Sequence, residues 1–177
     1  MSSLFSCFQD TLDEDVRVIA MQVMVDICKR EYNYVEFFFK ELCQLTASAM
    51  RSNLQYYGAQ GIEVWTTIAE EEHKKDLKGI PHKKYIYQSH VELIKMLLAS
   101  LEVISDDPEE VDVDQWGISL SAGCCLYQIA LVLGDEVVDP VIEYASRLVQ
   151  DTNNWKSRFT ALLALGAITE GPQKAKF

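Results

Sequence analysis

Motifs for catalysis and metal binding are missing from this sequence. Its three histidines, His73, His82 and His90, are too far apart for an HExxH pair. The five cysteines, at 7, 28, 43, 124 and 125, include no CxxC and no Cys/His quartet, which argues against structural zinc. Their odd number and mostly apolar helical positions read as reduced thiols packed in a core. Cys124 has no base among its neighbours Gly123, Cys125 and Leu126, so it is not read as a nucleophile. Gly58-Ala59-Gln60-Gly61 lacks the GK[ST] of a phosphate loop, and its glycines sit in an apolar helical stripe. No enzyme, no metal and no cofactor is therefore expected.

Positive charge is also short, with 16 Lys and Arg against 27 Asp and Glu and a net charge of −11. Such a field repels phosphate backbones and attracts basic partners, which sets nucleic acid aside. Long hydrophobic runs are missing too. Ile94 to Leu101 and Thr160 to Ile168 reach about half of the roughly 20 residues needed to cross a bilayer. Residues 1–11 show no basic segment followed by an apolar run, so neither membrane insertion nor a secretory signal is expected. The compartment is expected to be cytosolic or nuclear.

What is present is helical periodicity. With 49% hydrophobic and 24% charged residues the chain has the composition of a folded domain. Apolar spacings of three and four recur almost throughout, and no long run alternates apolar with polar, so the fold class is all-α. Seven helices are expected, over about 15–31, 34–50, 55–73, 85–104, 115–133, 136–150 and 155–170. Val16, Ile19, Ala20, Val23, Met24 and Ile27 trace the apolar stripe of the first. Asp13 or Asp15 would cap it. The segment 74–84, with five Lys, Gly79 and Pro81, reads as an exposed loop.

Small residues near the middle of every second helix, Ala20, Gly61, Ala122 and Ala161, are separated by 41, 61 and 39 residues. The outer two intervals fall in the range of roughly 40 to 47 residues of HEAT and armadillo repeats, and the longer one is accounted for by the loops at 74–84 and 105–115. The expected architecture is a single array over residues 1–177, an α-solenoid of about four antiparallel helix pairs. A helical bundle is the alternative. Arg17 and Arg158, each with an aspartate just upstream, suggest a partial Asp/Arg ladder between repeats, interrupted by Gly58 and Ser119 at the equivalent places.

Two carboxylate clusters are candidates for function. Glu70, Glu71 and Glu72 are placed at a helix end, where the dipole disfavours anions and a cationic partner would be welcome. In residues 106–114 six of nine are acidic and none is basic: Asp106, Asp107, Glu109, Glu110, Asp112 and Asp114. The run has no central glycine, so it does not fit a calcium loop. Trp116 follows directly. Carboxylates beside an indole face suit Lys and Arg side chains through ion pairing and cation–π contact.

Gln60-Gly61-Ile62-Glu63-Val64-Trp65 with Glu70-Glu71-Glu72, the acidic run ending in Asp114-Gln115-Trp116, Asn154-Trp155-Lys156-Ser157-Arg158, and Ile168-Thr169-Glu170-Gly171-Pro172 together resemble the central region of the importin-β (karyopherin-β) nuclear transport receptors. The resemblance implies a right-handed superhelix with the first helix of each pair outward and the second lining the concave side. It implies contact of Asp106, Asp107, Glu109, Glu110, Asp112, Asp114 and Trp116 with the GTPase Ran and with the basic importin-β-binding segment of importin-α or other basic cargo. Glu71 and Glu72 would extend that basic-peptide surface. It further implies grooves between first helices for Phe-Gly nucleoporins, with Phe37, Phe38 and Phe39 as contributors, and shuttling between cytoplasm and nucleus. Receptors of this family are several times longer, and Pro108, Val111 and Val113 dilute the acidic run. A HEAT scaffold of another kind, such as a phosphatase regulatory subunit, is the alternative function.

Overall fold

The structure, a computed structural model, describes Phe8 and residues 13–104, 117–151 and 153–173. Every regular element among them is helical: α1 Glu14–Arg30, a 3₁₀ turn Tyr32–Phe37, α2 Phe39–Met50, α3 Gln55–Leu77, α4 Tyr85–Leu101, α5 Ile118–Leu133, a 3₁₀ turn Gly134–Val137, α6 Val138–Val149 and α7 Trp155–Ala167. Local chemistry sets several ends. The Asp13 carboxylate accepts from the amides of Asp15 (2.9 Å) and Val16 (3.4 Å), and Lys29 and Arg30 lie against the opposite end of the α1 dipole. Asn154 caps α7 by accepting from Lys156 N at 3.0 Å. Gly134, at φ +58, takes the left-handed turn that ends α5.

The helices form two layers. α1, α3, α5 and α7 pack on one another in series, as do α2, α4 and α6, and the pairs α2/α3, α4/α5 and α6/α7 join the layers. This is the helix-pair stack that the repeat period implies, with Ala20, Gly61, Ala122 and Ala161 all buried in the first layer. The glycines of α3 are there for proximity. A Cβ at Gly61 would stand 2.9 Å from Ala49 Cβ of α2, and one at Gly58 would stand 2.7 Å from Ile118 Cδ1 of α5. Met24, Leu42, Ile62, Trp65, Ile68, Leu97, Leu126 and Ile129 form the continuous core between the layers.

Three expectations change. The stripe of α1 is rotated: Ala20, Met21, Met24 and Cys28 are buried, while Ile19 (58% exposed) and Val23 face out. The 74–84 loop is shorter, because Lys74 to Leu77 complete the last turn of α3 and the connection is only 78–84. Apolar length was also underestimated. α5 and α6 run together through the 3₁₀ turn, so 118–149 holds a window of mean hydropathy 1.5, long enough to cross a membrane. Half of that window is buried, against α3, α4 and α7, as in the core helices of a folded array. Arg17 lies over the Tyr57 ring, 5.7 Å from its centroid.

Candidate functional site

Asp106, Asp107, Glu109, Glu110, Asp112, Asp114 and Trp116 lie outside the described residues. Their flanks are described: α4 ends at Leu101 and α5 begins after Gly117, so the acidic segment joins the two helices of one pair. Lys156, at the start of α7, donates to the carbonyl of Ile104 at 3.0 Å, which fixes the point where the segment departs.

The layer of α1, α3, α5 and α7 carries a groove of about 530 Å³ between α3, α5 and α7. Leu120, Cys124, Leu162 and Leu163 supply apolar walls, Glu63 and Glu70 of α3 stand on one side, and no basic residue is among the described lining, with Lys74 of the same helix 3.7 Å from Glu70. Burial, then the nearby Glu70 carboxylate, hold the Glu63 carboxyl above its usual range, and Lys29 offsets them in part. An incoming cation would relieve that unfavourable charge. On the far side the Tyr127 hydroxyl donates to Glu170 at 2.6 Å. The i, i+3, i+7 spacing of Glu63, Thr66 and Glu70 is the sequence signal for this face; sequence reasoning passed over it for the denser run at 106–114.

The layer of α2, α4 and α6 carries two grooves with apolar floors and rims of mixed charge, Lys95, Arg147, Glu102, Glu136, Asp139 and Glu143 on the first and Arg51 and Glu92 on the second. Between α4 and α6 lie about 740 Å³, floored by Val91, Ile94, Leu98, Pro140 and Tyr144. The Tyr144 hydroxyl, 2.8 Å from both the Leu98 carbonyl and Glu102 Oε1, pins α6 to the end of α4. Between α2 and α4 lie about 550 Å³, with Cys43, Ala47, Leu93 and Met96 around Trp65. The Trp65 indole donates to Thr46 Oγ1 at 2.9 Å, which locks the floor of this groove. Phe37, Phe38 and Phe39 line neither groove. Phe38 is in the core, Phe39 stacks on Tyr85 with centroids 4.7 Å apart, and only Phe37 is exposed. The 3₁₀ turn ends at Phe37 and α2 begins at Phe39, so the three side chains point in different directions, which a reading that begins the second helix at Tyr34 could not capture.

Glu72 differs from the expectation altogether. It is fully buried, and its carboxylate accepts from the Tyr32 hydroxyl (2.6 Å) and from the α4 amides of Tyr85 (2.6 Å) and Ile86 (3.3 Å). It is therefore the N-terminal cap of the following helix and no part of a peptide-binding surface. The reason is positional: α3 continues past it to Leu77, so Glu72 points inward one turn before the helix ends. Glu71 is partly exposed and pairs with Lys74 at 2.9 Å. Burial raises the thiols of Cys28 and Cys125 to about 12. Among the described residues no cluster of three or more His, Cys, Asp or Glu could hold a metal.

No family model matches the chain. Over 172 residues it is 28% identical to importin subunit beta-1 of Schizosaccharomyces pombe, covering 92% of this chain and 20% of that protein. With importin subunit beta-1 of Saccharomyces cerevisiae it is also 28% identical over 172 residues, covering 93% and 20%. Among solved structures, Kap95p whose binding induces the switch loops of RanGDP to adopt the GTP-bound conformation superposes with a TM-score of 0.86 at 26% identity, over 97% of this chain and 20% of that one. Kap95 in the Kap95:Nup1 complex gives a TM-score of 0.86 at 26% identity, over 98% and 20%. The chain thus spans about one fifth of the length of the relatives it matches. Agreement in sequence, in helix order and in superposition makes it a homologue of a segment of importin subunit beta-1, with the HEAT-solenoid architecture of that protein.

Proposed function

We propose that this chain is a segment of a nuclear import receptor and works by binding proteins on two unlike faces. The observation that carries the reading is the groove between α3, α5 and α7, where Glu63 and Glu70 face apolar walls with no basic residue in the described lining, whereas the grooves between α2, α4 and α6 combine apolar floors with rims of both charges. The acidic groove between α3, α5 and α7 and the run Asp106 to Trp116 bind basic segments, of the importin-α adaptor or of cargo, and Ran. Lys and Arg side chains pair with the carboxylates while apolar side chains enter between Leu120, Leu162 and Leu163. Glu71, at the edge of α3, joins that surface where an incoming basic side chain displaces its pairing with Lys74.

The outer grooves take Phe-Gly nucleoporins, each Phe ring fitting an apolar pocket between neighbouring first helices. That RanGDP and Nup1 are bound by the similar Kap95p supports these partners. The segment shuttles with its receptor between cytoplasm and nucleus.

The test is a titration of a Lys/Arg-rich peptide and of a Phe-Gly peptide into the chain. Asp112→Ala with Asp114→Ala should weaken the first and leave the second unchanged, and Val91→Asp should do the reverse. Absence of salt-sensitive binding to the basic peptide would overturn the assignment of the acidic face.

A further inference from the structure

Neither face uses the lysine-rich connection between α3 and α4. There the structure brings the turns after α1 and α3 together. Tyr32, after α1, receives the amide of Lys83 at 3.2 Å and donates to Glu72, and Glu36 pairs with Lys83. Several charges at this edge are already committed: Lys74 to Glu70 and Glu71, Lys83 to Glu36, and Asp76 to His82. Lys75, Lys78 and Lys84 are in no ion pair among the described residues. Two of them lie over aromatic rings, Lys75 Nζ 5.0 Å from the Tyr32 centroid and Lys84 Nζ 5.9 Å from that of Tyr87.

Unusually open apolar side chains accompany them. Leu77 and Phe37 are each 75% exposed, and Ile80 is 47% exposed. Lys84 also holds a left-handed backbone, φ +57, where glycine or asparagine would sit without strain. The strain is maintained by the bond from its amide to His82 Nδ1 (3.2 Å) and by Gln88 bonding the Lys83 carbonyl (2.8 Å). The buried Glu72, joining Tyr32 to the start of α4, makes the two turns one rigid edge, so a ligand would meet a surface already ordered.

We propose that this edge is a docking surface for an acidic peptide segment that carries an apolar side chain. Charge complementarity selects the partner: Lys75, Lys78 and Lys84, outside any ion pair among the described residues, flank this one connection on a chain of net charge −11. An acidic peptide is drawn to this island and repelled elsewhere. A nucleic acid would need an extended basic track and would leave Leu77, Ile80 and Phe37 unused. The surface is separate from the acidic and apolar grooves assigned above, so its success or failure leaves that reading untouched.

Fluorescence anisotropy of the chain with a labelled Asp/Glu-rich peptide containing one leucine tests the proposal at low salt. Binding should weaken roughly tenfold in Lys75→Gln/Lys78→Gln/Lys84→Gln and several-fold in Leu77→Ser. Both variants should keep the parent melting temperature, and the triple variant should still bind a basic peptide. If the triple variant fails to fold, Leu77→Ser and the salt dependence of the parent decide. No binding by the parent, binding indifferent to the substitutions, or equally tight binding of a single-stranded oligonucleotide would overturn it.

Discussion

Replacing Glu72 by alanine is the sharpest perturbation of the fold. It removes a buried carboxylate that accepts three hydrogen bonds, from Tyr32, Tyr85 and Ile86. Water cannot reach the site, so the Tyr32 hydroxyl loses its strongest partner and the first amides of α4 are left without one. Each buried donor stranded in this way costs about 1–3 kcal/mol. Relief of the carboxylate's own desolvation offsets part of that sum, and about 3 kcal/mol of net destabilisation is expected. In a domain of this size that corresponds to a fall of roughly 6–12 °C in melting temperature. Glu72→Gln keeps one acceptor oxygen and should lose about half as much. Thermal unfolding followed by circular dichroism, repeated in a cycle with Tyr32→Phe, measures both the cost and the coupling. A Glu72→Ala protein that melts within a degree or two of the parent, or additive losses in the cycle, would refute the clamp.

Further outcomes follow from the same geometry. Gly61→Ala forces a methyl against Ala49 Cβ, which is rigid, and should destabilise by about 1–3 kcal/mol. Gly166→Ala meets nothing within 4 Å and should stabilise α7 by up to about 1 kcal/mol, so denaturant midpoints of the two variants should move in opposite directions. Burial, with Glu36 and Glu72 nearby, raises Tyr85 from 10.0 to about 12, and burial followed by the bond to Glu72 raises Tyr32 further. Both groups are protonated in the fold, so their contribution is complete below pH 10 and is lost as pH rises from 10 through 12. An alkaline titration of phenolate absorbance should show these tyrosines ionising late and together with unfolding. Cys28 and Cys125, raised to about 12 by burial, should resist a thiol reagent at neutral pH and react only on addition of denaturant.

Helix order and repeat period were legible because each buried anchor recurs at a fixed place in its pair, and Gly58 and Gly61 announced the close packing of α3. Side-chain direction was less so. The three phenylalanines at 37–39 read as one apolar block, yet the junction of a 3₁₀ turn with α2 sends one to solvent, one to the core and one onto Tyr85. Glu72 was grouped with Glu70 and Glu71 because neighbouring acids look alike in sequence. Its role depends on Tyr32, 40 residues earlier, and on the amides of α4, contacts that no local pattern encodes. The acidic groove was missed for a related reason, since Glu63, Cys124 and Leu162 come from three repeats and meet only when the helices stack.

Hydrogen exchange with and without a Lys/Arg-rich peptide tests the central claim, a protein-binding stack whose groove between α3, α5 and α7 receives basic segments. Protection is expected at Glu63 to Glu70, at Ser119 to Gln128 and at 105–116, with the grooves along α4 and α6 unchanged. Protection confined to the α2, α4 and α6 layer, or none at saturating peptide, would contradict it.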